Sequence, residues 1–117
     1  MNKAFYGKGR LKVGERNKTE ARYEAHLEVL KRAGRIVRYD FEPEKFRLAD
    51  NTFYTPDFRV MLPDGAIEFH EVKGAWAIFQ DDAKVKIKVA AELHPYRFIA
   101  VAPIPAKNGG GWDVKEF

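Results

Sequence analysis

The sequence predicts an α/β fold, a mixed β-sheet of four to five strands flanked by helices. Three observations predict it. Apolar residues recur at helical spacing in two stretches, one early and one late in the chain. The segments between them alternate or run apolar over strand-like lengths. Pro63-Asp64-Gly65 places strong turn chemistry between two such segments, which predicts an antiparallel hairpin.

The first helix is expected from Asn17 to Ala33. Asn17 and Glu20 have capping-box spacing, Tyr23, Leu27 and Leu30 form one stripe, and Gly34 offers a C-cap. Arg35 to Phe41 alternates as a strand, and Lys45 to Leu48 extends or restarts it. Ala49-Asp50-Asn51 reads as a turn. Phe53 to Met61 is expected as one strand, paired through the Pro63 turn with Ile67 to Val72.

From Asp81 to His94 two patterns compete. Lys84 to Val89 alternates like a strand. Asp81 and Asp82 as cap candidates, the run Ala90-Ala91-Glu92-Leu93 and the stop at Pro95 favour a helix, which is the reading taken. Val85, Val89 and Leu93 define one apolar arc of that helix, and Ala83, Ile87, Ala90 and Ala91 a second. Tyr96 to Ala102 is apolar and β-prone. Asn108 to Gly111 is a loop, and Trp112 to Phe117 a final strand.

At 117 residues, with 45% hydrophobic residues, the chain is expected to form one domain over residues 17–117 with a real core. There are no cysteines, so disulfides and thiolate metal sites are excluded. The three histidines, His26, His70 and His94, are too scattered for a zinc cluster. Any metal is therefore expected to be held mainly by oxygen, which favours hard cations such as Mg²⁺. No apolar run approaches the roughly 18 residues that span a bilayer, and the start lacks a signal-peptide core. A cytoplasmic protein with no membrane partner is the expectation.

The net charge is +4, but it is unevenly placed. Within the first 18 residues, Lys3, Lys8, Arg10, Lys12, Arg16 and Lys18 face Glu15 alone. Residues 1–16 thus read as a flexible basic arm suited to a polyanion, since each cation that neutralises a phosphate releases counterions.

The most informative residues lie at the centre. Asp57 follows Pro56. Fourteen positions later, Glu71 and Lys73 occur two apart on the expected strand from Ile67. Residues at i and i+2 of a strand share a face, so Ile67, Phe69, Glu71 and Lys73 point the same way. An apolar face that turns ionic at one end is a poor core and a good place for a metal ion and a phosphate. Carboxylates from different strands can hold hard cations, the Val72 carbonyl can add a neutral ligand, and a lysine can orient water or offset developing charge. Gly74 would let the chain turn away without blocking substrate. His70 falls on the opposite face and is expected to be packed or exposed, and Glu68 is expected to face solvent.

Thr55-Pro56-Asp57-Phe58 followed by Glu71-Val72-Lys73-Gly74 resembles the PD-(D/E)XK nuclease superfamily, which includes restriction endonucleases and Holliday-junction resolvases. The resemblance covers roughly residues 17–104 and is strongest to small phage and prophage proteins of that superfamily, which places the chain in a bacterial host cell. It implies a restriction-endonuclease-like core and a Mg²⁺- or Mn²⁺-dependent DNA endonuclease. It implies Asp57 and Glu71 as metal ligands and Lys73 as the catalytic lysine. The superfamily often adds an acid from the first helix, and here Glu20 and Glu24 compete. At roughly 100° per residue, Glu20 lies about 50° from the centre of the apolar stripe and Glu24 about 90°, which favours Glu20. Its capping-box position would also explain it, by helix stability alone.

Lys8, Arg10, Lys12 and Lys18, with Lys84, Lys86 and Lys88 of the second helix, are the expected phosphate contacts. Lys86 falls between the two apolar arcs. Trp76 and Phe79 are expected to close the core or to stack on a base. So short a chain has few base-reading elements, so branched or single-stranded DNA is the expected substrate. A C2 homodimer suits an enzyme that nicks two strands. The alternative is a non-catalytic nucleic-acid-binding protein on the same scaffold.

Overall fold

The structure, a computed structural model, describes residues 15–117. Lys8, Arg10, Lys12 and most of the expected basic arm lie outside the described residues. Helix α1 spans Lys18–Arg32 and β1 spans Arg38–Phe41. A short ribbon follows, β2 (Phe46–Ala49) and β3 (Thr52–Tyr54). Strands β4 (Phe58–Met61) and β5 (Ile67–Val72), helix α2 (Asp81–Leu93), β6 (Arg97–Pro103) and β7 (Trp112–Glu116) complete the order. The fold is α/β with a mixed five-stranded sheet, ordered β1-β4-β5-β6-β7, and β2 and β3 pair separately. Among the described residues, no helix is long and apolar enough to cross a membrane.

Helix α1 begins where its sequence demands. The Asn17 side chain accepts from the Glu20 N–H at 2.8 Å, and the Glu20 carboxylate accepts from the Asn17 N–H at 2.9 Å. This reciprocal pair satisfies two donors that the first turn would otherwise leave open. Tyr23 and Leu27 then bury against one sheet face with Ile36, Phe58, Val60, Val72, Ile99 and Val101.

The opposite face buries Phe69, Phe98 and Ala100 under Ile87 and Ala90 of α2 and under Phe46 and Tyr54 of the ribbon. Strands β5 and β6 run parallel, with α2 as the crossover between them, and so contribute to both faces. Only one of the two predicted apolar arcs of α2 is buried. Val85 is 58% and Leu93 54% exposed, because the ribbon and sheet together cover a single side of the helix.

Two readings need correction. Phe53 to Met61 is not one strand. It breaks at Thr55-Pro56-Asp57 into β3 and β4, which belong to different sheets. Pro56 has no N–H to give a ladder, and the chain changes sheets there. Glu68 does not face solvent. It is 6% exposed, bonded to His70 at 3.0 Å and to Arg97, its register partner on β6. His70 in turn meets the Tyr23 hydroxyl at 2.7 Å. These bonds hold the Glu68 carboxyl below the usual carboxylate range, with the His70 hydrogen bond the largest cause. The polar chain is buried and satisfied, so it fixes how α1 sits on the sheet.

Candidate active site

Strand β4 starts late, and that delay makes the site. Phe58 pairs with His70, so the last residues of β5 extend beyond the β4 ladder. The Val72 N–H, which would otherwise look for a strand partner, donates to the Asp57 carboxylate at 2.7 Å. A strand residue sends its N–H and C=O to the same edge. The Val72 carbonyl therefore leaves toward Asp57 as well.

Asp57 and Glu71 are each 8% exposed and Glu20 is 9% exposed. Burial pushes the Asp57 carboxyl well above its ordinary range. The Glu71 charge adds to this, and the Val72 N–H opposes it. The Glu20 charge adds a further upward push. Acids from α1, from the approach to β4 and from the end of β5 are thus all buried, and the charges of Glu71 and Glu20 both bear on Asp57. Glu71 is held on both sides. The Tyr54 hydroxyl donates to Oε1 at 2.7 Å, and Lys73 Nζ lies 3.1 Å from Oε2. Burial, followed by the Glu71 charge, raises the Tyr54 hydroxyl pKa, which keeps it a donor.

The two acids of the first helix have different surroundings. Glu24 turns away to pair with Arg16, which also packs over the Phe41 ring at 4.4 Å. Glu20 serves both readings at once, capping its helix through Oε1 and crowding Asp57.

Two neighbours escaped the sequence reading. Tyr54 had a signal, since a tyrosine one residue from buried chain needs a partner for its hydroxyl. Glu42 had none. It adopts a left-handed φ of 46° and donates its N–H to the Asp57 carbonyl at 2.8 Å. Its carboxyl is raised by burial first and then by Glu20.

Gly74 is less constrained than expected. Its φ lies outside the left-handed region, and a Cβ there would meet Thr19 Oγ1 at 3.6 Å and Ile78 Cδ1 at 3.7 Å, ordinary contacts. Gly74→Ala should therefore fold normally and change the unfolding free energy by less than about 1 kcal/mol, as denaturant titration would show. A larger loss would mean that the backbone needs glycine here.

The predicted phosphate contacts divide. Lys18 is exposed at the start of α1, near Glu20. Lys84, Lys86 and Lys88 are all exposed on α2, so Lys86 is not wedged between buried faces. Trp76 is half-buried, donates to Asp113 at 2.9 Å and carries Lys115 over its ring at 4.4 Å. Phe79 is buried. Both therefore serve packing. A cavity of ≈ 220 Å³ opens on the same sheet face but away from the acids, among Arg38, Asp40, Arg59, Met61, Phe69 and Tyr96.

Among the described residues, no three acidic or histidine side chains converge tightly enough to hold a metal ion by themselves. Two carboxylates and a carbonyl still suit Mg²⁺, which keeps several waters and takes its remaining oxygens from substrate phosphate. Each carboxylate oxygen retains a second lone pair beside the bonds described above. Compared with family models, with curated proteins and with solved structures, the chain matches none.

Proposed function

We propose that this chain is a metal-dependent nuclease that hydrolyses DNA phosphodiester bonds, built on a core of the PD-(D/E)XK type. One observation carries the reading. Asp57 and Glu71 are buried with the Glu71 charge bearing on Asp57, and Glu71 meets the Lys73 ammonium at the open end of a sheet. An acid cluster that destabilises its own fold suits the binding of positive charge. A divalent cation such as Mg²⁺ or Mn²⁺, held by Asp57, Glu71 and the Val72 carbonyl, would supply Lewis-acid charge to the phosphate and a more acidic water.

The remaining roles belong to the chain itself. The Val72 N–H fixes the Asp57 carboxylate, and Tyr54 fixes that of Glu71. Lys73 orients the attacking water or offsets the charge gathering on phosphorus. Glu20 adds negative charge beside Asp57 and tightens the hold on a cation. Lys18, Lys84, Lys86 and Lys88 provide exposed cations for backbone phosphates.

The test is incubation with plasmid, linear, single-stranded and four-way-junction DNA, in Mg²⁺, Mn²⁺ or EDTA. Metal-dependent cutting of any of these is the expected result, with branched or single-stranded DNA preferred. Absence of cutting on every substrate with both metals would remove the enzyme reading. A second reading, a non-catalytic nucleic-acid-binding protein, is favoured by the engagement of both Glu71 oxygens by Tyr54 and Lys73. It calls for binding that ignores metal.

A further inference from the structure

The β2–β3 ribbon has two unlike faces. Phe46 and Tyr54 are register partners and are buried, 8% and 6% exposed, against Phe69 and Phe98. Side chains alternate along a strand, so Lys45, Arg47 and Phe53 stand on the outer face. All three are exposed. Arg47 and Phe53 are direct cross-strand partners, and Lys45 Nζ lies 4.7 Å from the centre of the Phe53 ring. Among the described residues, neither Lys45 nor Arg47 forms an ion pair. Asp50, at the turn, is the only acid between residues 45 and 54.

Resting on the nuclease reading, we propose that this outer face grips an unpaired stretch of polynucleotide beside the acid cluster. In this arrangement Phe53 stacks on a base, and Lys45 and Arg47 take the flanking phosphates. An aromatic ring beside two cations that form no ion pair among the described residues matches the alternating chemistry of a single strand, apolar base faces on an anionic backbone. A duplex hides those base faces, and an acidic peptide has no need of the ring. The ribbon is also continuous with the site. Tyr54, next to Phe53, bonds Glu71, and Asp57 is only four residues on, at most about 14 Å of chain. The platform is firm, because the His94 ring packs on Phe46 at 4.6 Å behind it. Lys45, on a flexible stem, can leave the ring for a phosphate as the base arrives.

Binding of fluorescein-labelled single-stranded DNA and of blunt duplex, measured by anisotropy in EDTA, tests this on the full chain. Phe53→Ala should weaken single-strand binding about 5- to 10-fold and duplex binding less than about 2-fold. Phe53→Trp should restore it. The double variant Lys45→Ala/Arg47→Ala should weaken both and flatten the salt dependence. Because Phe53 is exposed, an unchanged Tm confirms that the variants fold.

The proposal fails if Phe53→Ala binds the single strand as the parent does. It also fails if single strand and duplex weaken equally, if tryptophan does not restore binding, or if the parent binds no DNA. A parallel cleavage assay in Mg²⁺ separates the two readings. A parent that binds through Phe53 yet cuts nothing removes the nuclease and keeps the ribbon. A parent that cuts while Phe53→Ala binds and cuts unchanged removes the ribbon and keeps the nuclease.

Discussion

Asp57→Asn is expected to abolish Mg²⁺-dependent cutting while making the metal-free protein harder to unfold at pH 8. The two effects share one cause. In the folded chain the Asp57 carboxyl is raised far above the roughly 3.9 of an unfolded aspartate, by burial first and by Glu71 second. Between those two values the folded state holds a proton that the unfolded state has released. Stability from this group is therefore fully present below about pH 4. It is lost as pH rises through the folded value. Asparagine carries no charge to desolvate, and its carbonyl can still accept the Val72 N–H at the position where Asp57 does so at 2.7 Å.

Thermal melts in EDTA should thus show the variant more stable at pH 8 by at least about 1 kcal/mol, or roughly 4 °C. The two proteins should converge near pH 4. Added Mg²⁺ should raise the parent's Tm and leave the variant's unchanged. A variant less stable than its parent at pH 8 would show that Asp57 is a structural acceptor and no more.

Lys73→Met is expected to lower kcat about 10²- to 10³-fold, the cost typical of removing one positioned donor, with DNA affinity nearly unchanged. Methionine keeps the stem and removes only the ammonium that stands 3.1 Å from Glu71 Oε2. That pair is partly solvated, the lysine side chain being 23% exposed. The Glu71 side chain, however, is only 10% exposed, so losing the ammonium should also destabilise the fold, by up to about 3 kcal/mol. Lys73→Arg should not rescue, because a planar fork cannot occupy the place of a compact ammonium. Single-turnover rates set against binding in EDTA separate the cases. A rise in KM with kcat intact would make Lys73 a phosphate anchor.

Much of this arrangement is readable in the chain. Asn17 and Glu20 announce the start of α1 through a local bond pair, and local signals survive folding. Pro63-Asp64-Gly65 fixes the β4–β5 hairpin for the same reason. The Glu71–Lys73 pair is legible because residues two apart on a strand share a face, and the two side chains lie 3.1 Å apart. The failures are non-local. Nothing near Glu68 says that Arg97, 29 residues away, will neutralise it. Only the β5–β6 register does that. The break at Pro56 was signalled by the missing N–H, but the sheet that receives each half depends on packing over Phe69 and Phe98. Glu42 reaches the acids through a left-handed turn that its residue type does not advertise.

The separate β2–β3 ribbon divides evolutionary labour. It interrupts the link between β1 and β4, which remain neighbours with Phe41 opposite Phe58. Its inward row is fixed by the shape of the cavity it fills. Its outward row supports nothing and is open to drift or selection. Successive substitutions along one side of these seven residues would remake that outer surface while leaving the inward packing untouched.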